Sequence, residues 1–403
     1  MKIKIDPSKA RGKVSAPFSK SMGHRLLICA ALAEGKSTVR GISDSADLKA
    51  TLACLQALGI KCTLDGETAT IHGTDIKSAA PTEPLFCNES GSTLRFFIPI
   101  AMLSGNHVLF QGEKSLFRRP MTVYETLCRE RGLLFSADSQ SAVVKGPLTS
   151  GEYRVAGNIS SQFISGLLFA LPLLDGDSII RITPPLESRS YISLTISALA
   201  QFGVKVIWQD DFTLIVPGNQ KYVPADVSVE GDYSGAAFLE ALNVFGGEVS
   251  VTGLSPDSLQ GDRVYHRFFP MLARGTPTIH IGDCPDLGPI LFAVAAAKFG
   301  AVFTGTARLR LKESDRISTM ASELAKFGVS VTSEGDSTIV YPTDFHAPSL
   351  PLYGHGDHRI VMSLAVLATL TGGTIEGCEA VTKSFPDFFD KLASLSVSLE
   401  NQN

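Results

Sequence analysis

The chain has 403 residues, which is too long for one ordinary hydrophobic core. Of these residues 44% are hydrophobic and 19% charged, a composition typical of globular domains. Lysine and arginine number 36 against 40 aspartates and glutamates, so the net charge of -4 provides no general positive field for a nucleic acid partner. Seven cysteines without a Cys-x-x-Cys pair argue against a disulfide framework or structural zinc, and favour buried thiols in a reducing compartment.

The first residues, Met1 to Asp6, alternate apolar and polar side chains as a strand does, and they lack the apolar run of a signal peptide. The most apolar later stretch, residues 360–370, is much shorter than the ~20 residues that span a bilayer. These features predict a cytoplasmic protein with no membrane partner.

A unit of apolar helix, glycine-containing break and short β-branched strand recurs six times. The strands are predicted near Gly35, Gly105, Gly176, Gly247, Gly300 and Gly373. A second helix then ends at a glycine before a further strand, as at residues 57–60, 201–206 and 326–331. A recurring period indicates a duplicated unit, and the order of elements predicts a mixed βαβαββ module. The predicted fold is therefore α/β, with two domains of three modules each.

The two ends of the chain predict where it divides. A strand within residues 1–13 precedes the first module helix, whereas the last module ends at residues 396–399 without its closing strands. If the N-terminal strand completes the C-terminal half, one domain comprises residues 1–13 and 229–403, and the other residues 14–228. We expect two chain crossings between the domains and an active site in the interdomain cleft.

The first helix of every module opens with small or charged polar residues, at 19–21, 89–93, 159–162, 231–234, 284–288 and 356–359. Serine and aspartate are ordinary N-caps, which would explain many of these residues. Capping does not explain Lys20, Gln162 or Arg359, and a cation at a helix N-terminus opposes the helix dipole by ~0.3–1 kcal/mol. A bound phosphate or carboxylate would offset that cost through backbone N–H groups and charge-assisted bonds.

The second helices open with similar polar residues, at 117–120, 186–191, 311–316 and 383–387, for which a solvated turn is the alternative interpretation. Neither a Gly-x-x-x-x-Gly-Lys-Ser/Thr loop nor a Gly-x-Gly-x-x-Gly motif after the first strand is present, so we expect no nucleotide cofactor. His355 and His358 have a possible ligand spacing, but the glycine between them disfavours a metal pair on a regular helix. We expect no metal.

Six motifs occur in one order along nearly the whole chain: residues 17–25, 119–120, 160–163, 312–316, 357–359 and 383–387. Together they resemble the 5-enolpyruvylshikimate-3-phosphate (EPSP) synthase family. The resemblance implies a two-domain inside-out α/β barrel with three βαβαββ modules in each domain. It also implies transfer of the enolpyruvyl group of phosphoenolpyruvate to the 5-hydroxyl of shikimate 3-phosphate, with phosphate released, no metal or other cofactor, and inhibition by glyphosate.

Matched position by position, the resemblance implies overlapping sets of site residues. The phosphoenolpyruvate set is Lys20, Gly91, Arg119, Gln162, Arg316, Arg359 and Lys383. The shikimate 3-phosphate set is Lys20, Ser21, Arg25, Ser160, Ser161, Gln162, Ser188, Asp286 and Lys312, with Tyr191 nearby. The chemistry needs a base, an acid and preorganised cations. By resemblance, Asp286 meets the 5-hydroxyl, and Glu313 with Lys20 transfers protons at the enolpyruvyl group.

Two positions depart from the family pattern and leave alternatives open. Glu89 and Arg308 stand where many members have asparagine, so the resemblance assigns neither of them a role in ligand binding. The nearest rival, an enolpyruvyl transferase acting on UDP-N-acetylglucosamine, would have a cysteine in the loop at residues 111–116 and a Lys-Asn pair at Lys20. A noncatalytic anion-binding protein is disfavoured, because acidic side chains in the site would weaken anion binding. Nothing in the sequence demands more than a monomer.

Overall fold

The computed structural model describes residues 1–402. Its strands are, in chain order, β1 (Lys2–Ile5), β2 (Arg11–Ser15), β3 (Gly35–Arg40), β4 (Lys61–Asp65), β5 (Thr68–Gly73), β6 (Leu85–Phe86), β7 (His107–Gln111), β8 (Leu134–Ala137), β9 (Ser141–Lys145), β10 (Gly151–Ala156), β11 (Ser178–Thr183), β12 (Ile207–Asp210), β13 (Thr213–Val216), β14 (Asp226–Ser228), β15 (Glu248–Thr252), β16 (Thr278–His280), β17 (Ala301–Thr304), β18 (Val331–Glu334), β19 (Ser337–Val340), β20 (Leu352–Tyr353), β21 (Gly373–Glu376) and β22 (Leu399–Asn401).

The α-helices are α1 (Lys20–Leu32), α2 (Ala46–Ala57), α3 (Gly91–Ala101), α4 (Lys114–Phe117), α5 (Thr122–Arg131), α6 (Ser161–Ala170), α7 (Arg189–Gln201), α8 (Tyr233–Val244), α9 (Tyr265–Leu272), α10 (Gly288–Ala296), α11 (Arg316–Ala325), α12 (His358–Thr371) and α13 (Phe388–Ser394). Short 3-10 turns occur at Ile76–Ser78, Leu171–Leu173, Gly261–Val264, Pro285–Leu287, Ala307–Leu311 and Cys378–Lys383. Within residues 1–402, no helix is both long and apolar enough to cross a bilayer.

Five of the six sheets have four strands in one topology. In the sheet ordered β10-β11-β13-β12, the first two strands are parallel and joined through α6, and the last two close the sheet as antiparallel neighbours after α7. The other four sheets are ordered β14-β3-β5-β4, β6-β7-β9-β8, β16-β17-β19-β18 and β20-β21-β1-β22. The predicted α/β module is confirmed in these sheets, none of which closes on itself as a barrel.

The sixth sheet has only two strands, β15 and β2, paired in parallel. Its module continues through α9, after which the chain passes from Leu272 directly to β16 at Thr278. This connection is too short for a hairpin that would close the sheet. The module has the βαβα part of the repeat without the final ββ part.

All six predicted module strands form within two residues of the predicted glycines. The strands expected directly after the second helices begin later than predicted, at Lys61, Ile207 and Val331. The amides of Ile60, Val204 and Val329 instead bond back to Leu55, Leu199 and Leu324. These bonds belong to Schellman turns around Gly59, Gly203 and Gly328, all of positive φ, so the backbone immediately after each glycine still belongs to the helix end.

Contacts between α-carbons divide the chain into two compact units, Met1–Ser19 with Glu230–Asn403, and Lys20–Val229. The first is called unit 1 and the second unit 2. In unit 1, β1 lies between β21 and β22 and pairs antiparallel with both, so the N-terminal strand joins the sheet of the last module. The division falls after Ser19 and Val229, near the boundaries after 13 and 228 expected from the sequence.

Each unit has a core of helices that are buried along nearly their whole length. In unit 2, α3 packs against α6, and α7 packs against both α6 and α1. In unit 1, α10 packs against α8 and α12, and every residue of α10 is buried. Because these helices, apart from the partly exposed α7, are covered nearly all round, their polar first turns are the parts of them that bear side chains for chemistry. The seven cysteines are all buried and free.

Candidate active site

In unit 2, Lys20 is the first residue of α1, and its Nζ lies 2.6 Å from Oδ2 of Asp47. Asp47 lies in the first turn of α2, two residues after the N-cap Ser45, whose side chain accepts from the amide of Leu48. A cation at the start of α1 is therefore balanced by a carboxylate from the neighbouring helix. The sequence prediction invoked a bound anion for this balance and missed Asp47.

The start of α3 gathers several of the residues predicted for phosphoenolpyruvate. A β-carbon placed on Gly91 would lie 2.9 Å from Nη1 of Arg119, 3.3 Å from Nη1 of Arg95 and 3.5 Å from Oε1 of Gln162. Gln162 Oε1 accepts from Arg95 Nη1 at 2.7 Å, and Gln162 Nε2 donates to Ser92 Oγ at 2.9 Å. Gly91, Arg119 and Gln162 thus converge, and a β-carbon at position 91 would displace the guanidinium groups from these positions.

The serines predicted for the sugar phosphate lie at helix starts. Ser160 is the N-cap of α6, and its hydroxyl accepts from the amide of Gln162. Ser161 is the first residue of that helix and is buried. Ser188 precedes α7 with a left-handed backbone, φ 58°, which is uncommon for a residue other than glycine. Backbone strain of this kind clusters at functional sites, although it also occurs in ordinary turns.

Arg25 is buried in unit 2 and joins two helices. Its Nη1 donates to the Ser21 carbonyl at 2.6 Å, its Nη2 to the Tyr191 carbonyl at 3.0 Å, and its Nε to Thr195 Oγ1 at 2.8 Å. The guanidinium also lies over the ring of Phe96, 5.1 Å from its centre. Burial lowers the pKa of Arg25 to about 10. These contacts hold α1 to α7 and place Ser21 beside Tyr191.

Glu89, one of the two departures, lies in the turn before α3. Its Oε1 accepts a hydrogen bond from Ser115 Oγ at 2.5 Å, and the amide of Glu113 donates to the Asn88 carbonyl at 2.8 Å. The turn at Glu89 is thereby tied to the segment 112–115 that leads through α4 to Arg119. Glu89 therefore contacts the segment that leads to Arg119, a predicted site cation.

In unit 1, Asp286 is the centre of the predicted cluster. It lies in the 3-10 turn before α10, and its Oδ1 accepts from Lys312 Nζ at 3.1 Å and from Arg316 Nη1 at 3.0 Å. Its Oδ2 accepts from Arg359 Nη2 at 3.0 Å. Burial opposes ionisation of Asp286, but Arg359, Lys312 and Arg316 outweigh it and hold its pKa well below the usual value. Asp286 is therefore an anion that orders three cations.

Arg316, at the first position of α11, is 1% exposed and binds three carboxylates. Its Nη2 lies 2.8 Å from Glu313 Oε2 and its Nε 2.9 Å from Asp357 Oδ2, in addition to the Asp286 contact. Burial alone would lower the pKa of Arg316, but the carboxylates raise it above its ordinary value. This side chain is always charged and fixed in direction.

The first residues of α12 provide further contacts that hold this cluster of side chains in place. Asp357 is its N-cap, accepting from the amide of Arg359 at 2.9 Å and from Ser314 Oγ at 3.1 Å. Burial disfavours its charge, but Arg316 and His358 together outweigh burial and the charge of Glu313, and they lower the pKa of Asp357. Burial also lowers the pKa of Lys312, against the opposing effect of Asp286.

The last predicted cation, Lys383, ends the 3-10 turn Cys378–Lys383, and its Nζ donates to the Gly356 carbonyl at 2.6 Å, beside the start of α12. Arg308, the second departure, is buried and its Nη1 lies 3.4 Å from the Gly282 carbonyl. His355 binds Glu323, with Nε2 2.9 Å from Oε1. Within residues 1–402 there is no group of three or more His, Cys, Asp or Glu side chains suited to hold a metal.

Comparison with known proteins gives the same family that the six sequence motifs indicate. The family model described as EPSP synthase (3-phosphoshikimate 1-carboxyvinyltransferase) matches residues 5–276 and 270–392. The 3-phosphoshikimate 1-carboxyvinyltransferases of Clostridium kluyveri and Clostridium perfringens are each 38% identical, covering 99% and 100% of this chain and 98% and 100% of their own lengths. The chain belongs to the EPSP synthase family.

Solved structures agree with the fold. A structure of EPSP synthase from Acinetobacter baumannii, 25% identical, superposes with a TM-score of 0.81 over 99% of this chain and all of its own. The enolpyruvyl transferase NikO from Streptomyces tendae, 15% identical, has a TM-score of 0.79 and covers 99% of this chain and 98% of its own. The expected two-domain α/β architecture of this family is confirmed.

Sequence reasoning missed several residues that organise this member of the EPSP synthase family. Arg95 shares Gln162 with the predicted set, and its position four residues after Gly91 on a helix was the available signal. Asp357 lies in one of the sequence motifs without an expected role of its own, yet it fixes Arg316. Asp47 and Asp262 had no signal in the sequence, because each is distant in the chain from the residues it affects.

Proposed function

We propose that this chain transfers the enolpyruvyl group of phosphoenolpyruvate to the 5-hydroxyl of shikimate 3-phosphate, releasing phosphate and forming 5-enolpyruvylshikimate 3-phosphate on the route to aromatic amino acids. The observation that carries the proposal is Asp286 bound to Lys312, Arg316 and Arg359. A carboxylate within a cluster of cations suits a reaction in which a hydroxyl must be oriented beside an anionic co-substrate. Full-length similarity to the 3-phosphoshikimate 1-carboxyvinyltransferase of Clostridium kluyveri supports it.

We assign the predicted site residues to the two substrates of this reaction. Cations that receive the phosphate and carboxylate of phosphoenolpyruvate are Lys20, Arg119, Arg316, Arg359 and Lys383, with Gly91 and Gln162 beside them. The residues assigned to receive shikimate 3-phosphate, through hydroxyl, amide, carboxylate and cationic groups, are Lys20, Ser21, Arg25, Ser160, Ser161, Gln162, Ser188, Asp286 and Lys312. The helix-start positions of the serines support this assignment, since such starts offer backbone N–H groups to phosphate.

The reaction is an addition followed by an elimination. In the first step the 5-hydroxyl oxygen bonds to C2 of phosphoenolpyruvate, the hydroxyl loses its proton, and C3 gains a proton. In the second step the bond from C2 to the phosphate oxygen breaks and C3 loses a proton, so the double bond returns and phosphate leaves. Fixed cations stabilise the phosphate as negative charge develops on it.

Asp286 is assigned to orient the 5-hydroxyl. Three cations make it a weak base, because they hold its pKa well below the usual value. When the anions of phosphoenolpyruvate engage Arg316 and Arg359, Asp286 shares those cations with the substrate and becomes more basic. This links the strength of the base to occupation of the co-substrate site.

Glu313 and Lys20 are assigned to proton transfer at C3. Glu313 Oε2 accepts from Arg316 Nη2 at 2.8 Å, and Arg316 is one of the cations assigned to phosphoenolpyruvate. A carboxyl group held next to the co-substrate can give and take a proton at its reacting carbon. Lys20, paired with Asp47, is the second candidate.

The competing acceptor is UDP-N-acetylglucosamine, and a direct assay separates the two. Phosphate release from phosphoenolpyruvate is measured with each acceptor in turn. We expect release with shikimate 3-phosphate only, and loss of at least ~10² in turnover for Asp286→Asn. Asp283→Asn, which alters an acidic residue three positions away, is the matched control. Release with UDP-N-acetylglucosamine alone would contradict the proposal.

We further propose that the chain acts as a cytoplasmic monomer without a nucleic acid partner. The seven free, buried thiols and the net charge of -4 support this. Sedimentation equilibrium at micromolar concentration tests the monomer, and a mass of twice 43.0 kDa would contradict it.

A further inference from the structure

Asp262 is a buried acidic side chain that none of the roles above uses. It lies in the 3-10 turn Gly261–Val264 and is 1% exposed. Its Oδ2 accepts a hydrogen bond from Ser234 Oγ, in the first turn of α8. Its Oδ1 is buried and has no hydrogen-bond partner among residues 1–402. A carboxylate left unpaired in this way is costly to ionise, and the neutral acid is favoured.

The turn that carries Asp262 is fixed against α8. The side chain of Gln260 accepts from the amide of Tyr233 at 2.9 Å through Oε1, and donates to the Gly231 carbonyl at 2.7 Å through Nε2. Gln260 is itself buried. Asp262 is therefore held inside the protein, and a change of pH changes the protonation of its carboxyl group without moving the side chain to the surface.

Charged groups face Asp262 from three directions. Asp286 lies on the turn before α10, Arg359 on α12, and Asp232 at the N-cap of α8, and each acts on its ionisation. The thiol of Cys284 is a fourth neighbour, since burial and then Asp262 raise the pKa of that thiol. Burial and the charge of Asp286 outweigh Arg359 and raise the pKa of Asp262 to about 7.

We propose that Asp262 is a positioning residue that, in its neutral form, leaves Arg359 paired with Asp286 and directed to the anions of phosphoenolpyruvate. The inference rests on the proposed function. When Asp262 loses its proton, a second carboxylate attracts Arg359 and repels both Asp286 and the incoming substrate. The affinity for phosphoenolpyruvate then falls.

The sign of the pH effect follows from the direction of the pKa shift. Below a pH of about 7 Asp262 is neutral and the cation is available, and above it the added negative charge weakens substrate binding. Replacing Asp262 by Asn keeps the size, the acceptor for Ser234 and a neutral charge at every pH. Asp262→Asn thus fixes the low-pH state.

The first experiment measures KM for phosphoenolpyruvate at pH 6 and pH 8.5 in the wild type and in Asp262→Asn. Comparing the two proteins at the same pH cancels the titration of the substrate and of the other side chains. We expect similar KM values at pH 6, and a wild-type KM roughly threefold or more above that of the variant at pH 8.5. Glu248→Gln, an exposed carboxylate of unit 1, is the control and should follow the wild type at both pH values.

A second variant separates titration of Asp262 from a purely structural role. The hydrogen bond from Ser234 lowers the pKa of Asp262, so Ser234→Ala should move the rise in KM to higher pH. A residue that only supports packing would change KM by the same factor at every pH. This variant also keeps the test available if Asp262→Asn folds poorly.

Denaturant unfolding without substrate separates failure of this inference from failure of the proposed function. The unfolded carboxyl ionises near 3.8, and the folded one near 7, so the wild type should lose stability relative to Asp262→Asn as pH rises between those values. Absence of phosphate release at every pH contradicts the proposed function, and the unfolding comparison then decides whether Asp262 is neutral. A ratio of KM values that is constant from pH 6 to 8.5 overturns the inference.

Discussion

Lys20 Nζ and Asp47 Oδ2 form an ion pair of 2.6 Å between the starts of two neighbouring helices of unit 2. The side chains are 16% and 13% exposed, so water screens their attraction only partly. The charge of Lys20 opposes the dipole of α1, while that of Asp47 favours the dipole of α2. The pair therefore removes the electrostatic cost of the lysine and fixes the direction of its ammonium group.

Removing the charge of Asp47 should disorder Lys20. We expect Asp47→Asn to lower kcat/KM for phosphoenolpyruvate by about tenfold, equivalent to ~1.4 kcal/mol, with a small change in the free energy of unfolding. Steady-state kinetics and urea unfolding measure the two effects. The control is Asp44→Asn, which breaks the exposed pair of Asp44 with Lys49 and should leave both quantities unchanged. Equal kinetic losses in both variants would contradict a specific role for Asp47.

Gly91→Ala tests the convergence at the start of α3. The added methyl would meet Arg119 Nη1 at 2.9 Å and Arg95 Nη1 at 3.3 Å. Both contacts are with the ends of flexible side chains, so the fold should tolerate the change while the guanidinium groups move. We expect a higher KM for phosphoenolpyruvate and weaker inhibition by glyphosate, with little change in the free energy of unfolding.

Gly105→Ala is the control for that experiment, because its added β-carbon meets no atom within 4 Å. It should leave KM and inhibition as in the wild type. Unchanged inhibition in Gly91→Ala would show that Gly91 does not line the site that binds the inhibitor.

Glu313→Gln tests the proton carrier. The amide keeps the shape of the side chain and an acceptor for Arg316, but it neither gains nor loses a proton at the reacting carbon. We expect kcat to fall by ~10² or more, with KM for both substrates largely kept. Glu334→Gln, on the exposed strand β18, is the matched control. A near-normal kcat would remove Glu313 from the chemistry.

The repeat could be predicted from sequence because each module has the same local signals. Glycines at the ends of α2, α7 and α11 marked the helix ends correctly, at Gly59, Gly203 and Gly328. The strand starts were wrong by a few residues, because the Schellman bonds that follow each glycine are not visible in a pattern of apolar residues. The missing hairpin of the β15 module depends on the length of one connection after α9, which the period alone does not indicate.

Candidate site residues at the starts of helices could be predicted from the sequence. Residues that act on them through tertiary contacts could not. Lys312, Glu313, Arg316 and Arg359 lie in the sequence motifs and Asp286 in a polar helix start, and the structure joins them in one network of ion pairs. The carboxylate of Asp47 pairs with Lys20, and that of Asp262 interacts with Arg359, only because the fold brings these distant residues together. Lys20 lies 27 positions from Asp47 along the chain, and Arg359 lies 97 positions from Asp262.

His24 gives a prediction about stability that is independent of activity. It is fully buried in α1, with Nδ1 2.7 Å from Thr51 Oγ1, and Thr51 Oγ1 lies 2.8 Å from Thr93 Oγ1. Nε2 is buried and has no hydrogen-bond partner among residues 1–402. Burial, Lys20 and Arg25 lower the pKa of His24 well below its ordinary value, so the folded protein holds this ring neutral.

The pH dependence follows from proton uptake by the unfolded chain. Below the ordinary value of 6.5 the unfolded histidine takes up a proton that the folded state refuses, so the folded state loses ~1.4 kcal/mol per pH unit as pH falls. His24→Asn removes this effect while leaving an amide near Thr51. The variant should be less stable than the wild type at pH 7.5, and the difference in free energy of unfolding should shrink by ~2 kcal/mol by pH 5. Titration of Asp262 occurs in both proteins and cancels in the difference.

His107→Asn, at an exposed position of β7, is the control and should differ from the wild type by the same amount at both pH values. If the His24→Asn difference is also independent of pH, His24 takes up a proton in the folded protein as readily as in the unfolded chain, and the chain of hydrogen bonds from α1 to α3 then needs an acceptor for its second nitrogen.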